Sequence, residues 1–389
     1  MTLPPAIERL TRHATDAMAP LWRGPGWDAA RGGFHERLGP DLRPLPVPHR
    51  RTMVQARQLF VFSRMAELAE PEANLAFADR IYEHLAGHFQ DRRHGGWLFS
   101  TDLDGRPADA RKDLYAHAFV MFGLAQYHRR RPSAAVRDLA AETLETVRRR
   151  MALPHGGFAT AAAADWTVED RSLNQNPHMH MLEACLAWIG QAGDAPFRAA
   201  AADLVALFLD RLCDPRTGVL GEYFDEAGRP HPERGHIVEP GHHFEWYWIL
   251  RNVMAATGDT RPAAAAERML AWAEARGWDP EFGGYYDEVA RDGAVVSATK
   301  RIWPQLEAVR ALSARHVHDG DPAALALMLE RIDFVAGRYL RPDGHWTEWM
   351  TRELAPRHAE LPASTPYHLM TALDEMRRPY GGAPAVGAA

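Results

Sequence analysis

The chain has 389 residues, 46% of them hydrophobic and 25% charged, with a formal net charge of -6 and a pI near 6.4. That balance is ordinary for a soluble globular protein and leaves no broad basic field for nucleic acid or an anionic membrane. Two cysteines, Cys185 and Cys213, fall inside apolar helical patterns; they read as small buried hydrophobes rather than a disulfide framework, which suits a reducing cytoplasm.

From the N-terminus, Met1 to Leu21 carries Glu8, Arg9, Arg12 and Asp16 and has no continuous apolar core, so it reads as a helix over 5–21 rather than a signal peptide or membrane span. Met53, Val54, Ala56, Leu59, Phe60, Phe62 and Met65 then recur at three- and four-residue spacings and predict a helix over 51–69. The same spacing predicts helices over 73–90, 111–130, 133–151, 174–191, 195–212, 241–257, 261–276, 300–315, 321–340 and 364–377, with Pro and Gly clustered between them. The total is twelve.

A Gly-aromatic signal punctuates every second helix: Gly32-Gly33-Phe34, Gly95-Gly96-Trp97, Gly156-Gly157-Phe158, Gly221-Glu222-Tyr223, Gly283-Gly284-Tyr285 and Gly344-His345-Trp346, at steps of 61–65 residues. Turn signals such as Asp104-Gly105 and Asp292-Gly293 follow several of them, so each signal predicts a short β-hairpin. Six helical pairs suit a closed ring, an all-α (α/α)6 toroid of twelve helices with short hairpins at one end, because closure removes the need for polar capping repeats; an open solenoid is the structural alternative. The domain is expected to span 1–378, with a fraying Pro/Gly/Ala-rich tail at 379–389.

The repeat is also a ruler. Twenty-two residues beyond each marker lie Ala56 (with Arg57 next), Phe119, His180, Glu245, Glu307 and His368, early in the helix after each hairpin. In a toroid these helix starts gather round one mouth, and ionisable groups converging there with tryptophans form a polar-ligand site. Asn174-Gln175-Asn176-Pro177-His178-Met179-His180 and Glu239-Pro240-Gly241-His242-His243-Phe244-Glu245-Trp246 enrich two of those starts, with His242 and Glu245 one turn apart. His242 and His243 cannot both face one target, and Glu307 has Arg310 as an alternative partner. His178-x-His180 and His242-His243 offer nitrogen ligands, but there is no His-Glu-x-x-His pattern, no cysteine pairing and no acidic cluster beside the histidines, so neither metal nor cofactor is expected. No Gly-x-Ser-x-Gly elbow or phosphate-cradling glycine loop appears.

At these residues the chain resembles the N-acylglucosamine 2-epimerase superfamily, in its mannose isomerase-like branch. The stretches that carry the resemblance are Arg51-Thr52-Met53-Val54-Gln55-Ala56-Arg57, Asn176-Pro177-His178-Met179-His180-Met181-Leu182-Glu183-Ala184, Pro240-Gly241-His242-His243-Phe244-Glu245-Trp246 and Tyr367-His368, with weaker matches at Gly95-Gly96-Trp97 and Trp303-Pro304. The resemblance implies the same barrel and substrates such as mannose, lyxose, N-acetylglucosamine, cellobiose or sulfoquinovose. It implies His242 and His368 as the acid–base pair, Glu245 supporting His242, His180 and Asn176 holding sugar hydroxyls, Arg57 near the carbonyl oxygen and Tyr115 lining the pocket. Trp303 and Glu307 complete the expected substrate-binding set. Before the final Tyr-His, sulfoquinovose isomerases are more polar than Ser364-Thr365-Pro366 here, which favours a neutral aldose.

The expected activity is therefore metal-independent isomerisation of mannose or lyxose to a ketose, in the cytoplasm, with a monosaccharide as partner and a homodimer as one option for assembly. A sugar 2-epimerase would use the same residues. A glycoside hydrolase would need two flanking carboxyl groups, for which Glu245 and Glu307 are the candidates. A non-catalytic sugar-binding protein would tolerate loss of His368.

Overall fold

Six helices of this chain are buried on nearly every side, and that fact organises the rest. The computed structural model describes residues 2–382. In Thr52–Met65 (α2) every residue but Met53 is buried, and in Gln175–Trp188 (α6) every residue but Asn176. Leu114–Arg130 (α4), Pro240–Thr257 (α8), Ile302–Asp319 (α10) and Pro366–Arg377 (α12) are similarly enclosed. A helix that is apolar all round has no solvent face and must pack on several neighbours. These six do so in a ring: each packs on the next in order, and α12 returns to α2.

The other six bury one stripe each. Pro71–His88 (α3), Ala134–Arg150 (α5), Ala195–Leu207 (α7), Ala263–Gly277 (α9) and Pro322–Arg338 (α11) each lie against the inner helix of the same pair. The sixth outer helix, α1, is Pro5–Arg12, a π-helical turn His13–Met18, and Ala19–Arg23; it packs across α11 and α12 and joins the two ends of the chain. A second π-helical turn, Phe208–Leu212, ends α7. Among the described residues there are thus twelve helices in an (α/α)6 barrel, and no helix is long and apolar enough to cross a membrane. Arg378–Tyr380 form one 3-10 turn after α12, and the rest of the expected tail, 383–389, lies outside the described residues.

Hairpins form where the glycine turns predict them, as in Ser100–Asp102 with Pro107–Asp109 and Glu288–Ala290 with Val295–Ser297. They also do something the sequence reading lacks. The short strand before an inner helix pairs with the hairpin of the next repeat: His49–Arg51 with Ser100–Asp102, Leu173–Asn174 with Tyr223–Phe224, Lys300–Arg301 with Trp349–Met350. Arg37–Leu38 with Leu361–Pro362 closes the circle.

One device repeats beneath the hairpins. The backbone N–H of the marker residue donates to a side chain in the first turn of the inner helix: Phe34 to Gln55 (2.8 Å), Trp97 to His117 (3.1 Å), Phe158 to His178 (2.8 Å), Leu220 to His243 (3.0 Å) and Tyr285 to Gln305 (2.7 Å). Burial holds His117, His178 and His243 down to about 4, so each is neutral and its Nε2 can accept. At Gly96, with φ of 67°, a Cβ would fall 2.7 Å from His117 Nε2, so only glycine lets the loop lie this close.

This device corrects one marker. In the fourth repeat the equivalent of Phe34 and Trp97 is Leu220, bridged to Cys213 as Phe34 is to Trp27, and not Tyr223. That repeat carries three additional residues before its inner helix, so the misplaced marker and the insertion cancel and the ruler still lands on Glu245.

Candidate active site

Measured from the hydrogen-bonding Gln or His, or from Pro366 in the sixth repeat, the starts of the inner helices present two layers. Two residues earlier stand Met53, Tyr115, Asn176, Gly241, Trp303 and Ser364; two residues later stand Arg57, Phe119, His180, Glu245, Glu307 and His368. A cavity of about 180 Å³ lies among them at the hairpin end, lined by Arg57, Tyr115, Asn176, His180, His242, Glu245, Trp303 and His368, together with Glu239, Arg301, Glu348, Ser364 and Thr365. Of the residues expected from sequence, only Glu307 does not line it. Glu307 lies beneath the floor, bonded to His368 and Arg310 rather than open to a substrate. Gly241 leaves room for the Trp303 ring, which a Cβ would meet at 2.5 Å. Trp303 in turn neighbours both histidines, its ring 5.0 Å from that of His242 and 5.6 Å from that of His368.

Each histidine in the cavity spends Nδ1 on a carboxylate. His242 Nδ1 is 2.9 Å from Glu222 Oε2, His368 Nδ1 is 2.6 Å from Glu307 Oε1, and His180 Nδ1 is 3.1 Å from Glu183 Oε2. A carboxylate at Nδ1 fixes the tautomer with its proton there and leaves Nε2 for the cavity. The expected support of His242 by Glu245 is thus corrected: Glu222 fills that place, reaching across from the neighbouring hairpin, while Glu245 sits on the His180 side (3.8 Å). Two residues after the corrected marker Leu220, Glu222 belongs to a set with Glu36, Asp287 and Glu348, a spacing that would have revealed it.

The two histidines hold different charge states. Burial opposes a charge on His242, but Glu222, Glu239 and Glu245 outweigh it and raise its pKa to about 9. Burial also disfavours charge on His368, and there Arg57 and Arg310 act in the same direction, so its pKa falls well below 6.5. At neutral pH one imidazole is a proton donor and the other an acceptor, the separation that marks an acid and a base.

Burial, with Glu307 and Glu183 close by, pushes Glu245 well above the carboxylate range, and its buried Oε1 has no hydrogen-bond partner among the described residues. Arg57 donates to Tyr115 Oη (2.6 Å) and to the Ser364 carbonyl (3.2 Å), with its guanidinium 4.1 Å from the Phe119 ring centroid. At the mouth, Arg301 is held by Glu239 (2.9 Å) and Asp287 (3.0 Å). Glu348 accepts from Trp346 Nε1 (2.7 Å) and Thr365 (2.8 Å). Sequence reasoning missed Glu239, Arg301, Glu348 and Thr365 because strand ends and the last loop supply them.

The sequence shows no acidic cluster beside the histidines, but the fold assembles three. His180 with Glu183 and Glu245, His242 with Glu222 and Glu239, and His368 with Glu245 and Glu307 each bring donor atoms within 4.8 Å of one another, close enough to hold a cation. In each set the imidazole Nδ1 is already paired with a carboxylate of the same set. His178 and His243, the other candidate ligands, are taken up in the hairpin contacts described above.

Comparison with known proteins follows the same lines. The pattern of the N-acylglucosamine 2-epimerase (GlcNAc 2-epimerase) family matches residues 32–372. A Rhizobium meliloti (strain 1021) protein named mannose-6-phosphate isomerase is 31% identical over 385 residues, covering 93% of this chain and 94% of that protein. A D-mannose isomerase from Thermobifida fusca is 31% identical over 293 residues, covering 72% and 71%. The structure of cellobiose 2-epimerase from Spirochaeta thermophila DSM 6192 superposes with a TM-score of 0.86 at 26% identity, covering 96% of each chain. The chain belongs to the N-acylglucosamine 2-epimerase family of sugar isomerases and epimerases.

Proposed function

We propose that the chain interconverts D-mannose, and related aldoses such as D-lyxose, with the corresponding ketose through a cis-enediolate. The observation that carries this reading is the pair of histidines, one cationic and one neutral, both beside Trp303 in one cavity. Neutral His368 takes the C2 proton on Nε2 and, after that proton exchanges with solvent, protonates C1. Cationic His242 gives a proton to O1 as the enediol forms and recovers one from O2 as the ketone forms, so the proton count closes. Arg57, beside Tyr115 and Ser364, stabilises the charge that develops on oxygen. Asn176, His180 and Glu245, with its unpartnered oxygen, hold hydroxyls.

The lining favours an uncharged sugar. Arg301 is already bound by two carboxylates, and Glu239 and Glu348 face the same cavity, so a phosphate there would meet like charge. The two cysteines are free and buried, and we place the reaction in the cytoplasm. The second reading is a 2-epimerase, in which both histidines act on C2 from opposite faces; the same Nε2 pair serves it.

Incubating the EDTA-treated protein with D-mannose in D2O and following the products by NMR tests the reading. Fructose deuterated at C1 is expected. Glucose without fructose would establish the epimerase instead, and no product from mannose or lyxose would overturn the proposal.

A further inference from the structure

Under the cavity floor lies a buried cation that does not itself line the cavity, and we propose that this residue, Arg310, is a positioning residue. Through Glu307 and Glu183 it holds His368 and His180, on opposite walls, in one rigid frame. The inference rests on the isomerase reading only for what His368 does.

Arg310 is fully buried, and its guanidinium lies 3.5 Å from the centroid of the Trp248 ring. Its Nη2 donates to Glu183 Oε1 at 2.7 Å and its Nη1 to Glu307 Oε2 at 3.2 Å. Each of those carboxylates turns its other oxygen upward. Glu307 Oε1 receives His368 Nδ1 (2.6 Å), and Glu183 Oε2 receives His180 Nδ1 (3.1 Å) and the Tyr367 hydroxyl (2.5 Å). The path His368, Glu307, Arg310, Glu183, His180 is therefore continuous, with one planar fork at its centre. A guanidinium fixes two carboxylates in a set geometry, which a point-charge ammonium does not.

Electrostatics gives the fork a second task. Glu183 from α6, Glu245 from α8, Glu307 from its own helix, and Tyr367 and Glu375 from α12 all face Arg310. Without the cation, four buried carboxyl groups would crowd one space and take up protons, and a protonated carboxyl no longer holds the Nδ1 proton of a histidine. His368 itself faces Glu307 and Arg310 from α10, Arg57 from α2, His242 and Glu245 from α8 and Glu183 from α6. Loss of Arg310 removes one of the cations that keep it neutral.

The test compares Arg310→Lys and Arg310→Met with the parent by thermal melting, by kcat and KM against pH, and by NMR titration of the His368 ring in substrate-free protein. The His368 signal is assigned by its absence in His368→Asn. In folded Arg310→Lys, kcat is expected to fall by about 10²-fold, the cost of a displacement near 1 Å, with KM little changed. In Arg310→Met the acidic limb of kcat/KM and the His368 titration both move to higher pH. If Arg310→Met does not fold, Arg310→Lys decides alone. A folded Arg310→Lys variant with the parent's kcat and an unaltered His368 titration would overturn the proposal and leave Arg310 a core ion pair. The ring titration needs no turnover, so it tests the frame even if the parent isomerises no sugar.

Discussion

Glu222 and Arg57 act on the two histidines in opposite senses, and the pH dependence of activity follows from that. His368 must be neutral to accept a proton; with its pKa held below 6.5, it is lost as base only when the pH falls through that depressed value. His242 must be charged to donate, and it loses its proton as the pH rises through about 9. We expect a bell-shaped kcat/KM with its basic limb near 9 and its acidic limb below 6.5. In Glu222→Gln the anion that favours the imidazolium is gone, so the basic limb should move to lower pH while the acidic limb stays. A basic limb that does not move would detach Glu222 from His242. Of these two residues, His242 is legible from the enriched helix start and from the resemblance, but not from the repeat. It stands one place before the hairpin-holding His243, where other repeats have Ala116, Pro177 and Pro304, so no repeat count reaches it. Glu222 is hidden for a different reason: its contact with His242 spans twenty residues and exists only after the hairpin folds across the helix start.

At the scale of the element, the histidines that hold the hairpins are interchangeable with glutamine. Gln55 and Gln305 accept the marker amide as His117, His178 and His243 do. His178→Gln should therefore retain most of the stability, whereas His178→Ala leaves the Phe158 amide unsatisfied and should cost about 1–3 kcal/mol in urea unfolding. The pH response separates the two side chains. The unfolded imidazole binds its proton near 6.5 and the folded one only at about 4, so between those values the unfolded chain holds more protons and stability falls as the pH falls. His178→Gln removes one of three such protons, and its stability should fall less between pH 6.5 and 4. The helices themselves are legible from apolar spacing and from the Gly and Pro between them. The strand pairing between successive repeats is not, because ladders two or three residues long leave no alternating pattern to read.

For the whole molecule the seam is decisive. The ring closes through α12 on α2 and Arg37–Leu38 on Leu361–Pro362, and α1 covers the outside of that join. Ile7, Leu10, Met18 and Trp22 of α1 are fully buried there. At about 1.5–3 kcal/mol for each large apolar side chain, their loss is comparable to the roughly 5–15 kcal/mol that holds a domain together. A chain beginning at residue 24 should therefore lose its cooperative thermal transition by circular dichroism, and a truncated form that melts like the parent would show that the ring closes without α1. The closed toroid is legible from six near-equal steps. The role of α1 as the sixth outer helix, supplied from the start of the chain to the last repeat, follows only from the closure itself.

The separation of the hairpin-holding residue from the ring residue two places later has a consequence for how such a protein changes over generations. Mutational robustness and novelty reside at different addresses of the same repeat. Five of the six ring places carry an ionisable group, and the sixth, Phe119, lies 4.1 Å (guanidinium to centroid) from Arg57 and 4.5 Å (centroid to centroid) from His180. Its hairpin is held by His117, which a change at Phe119 does not touch. Phe119 is fully buried behind the cavity wall, so a change there would reach a bound sugar only through Arg57 and His180.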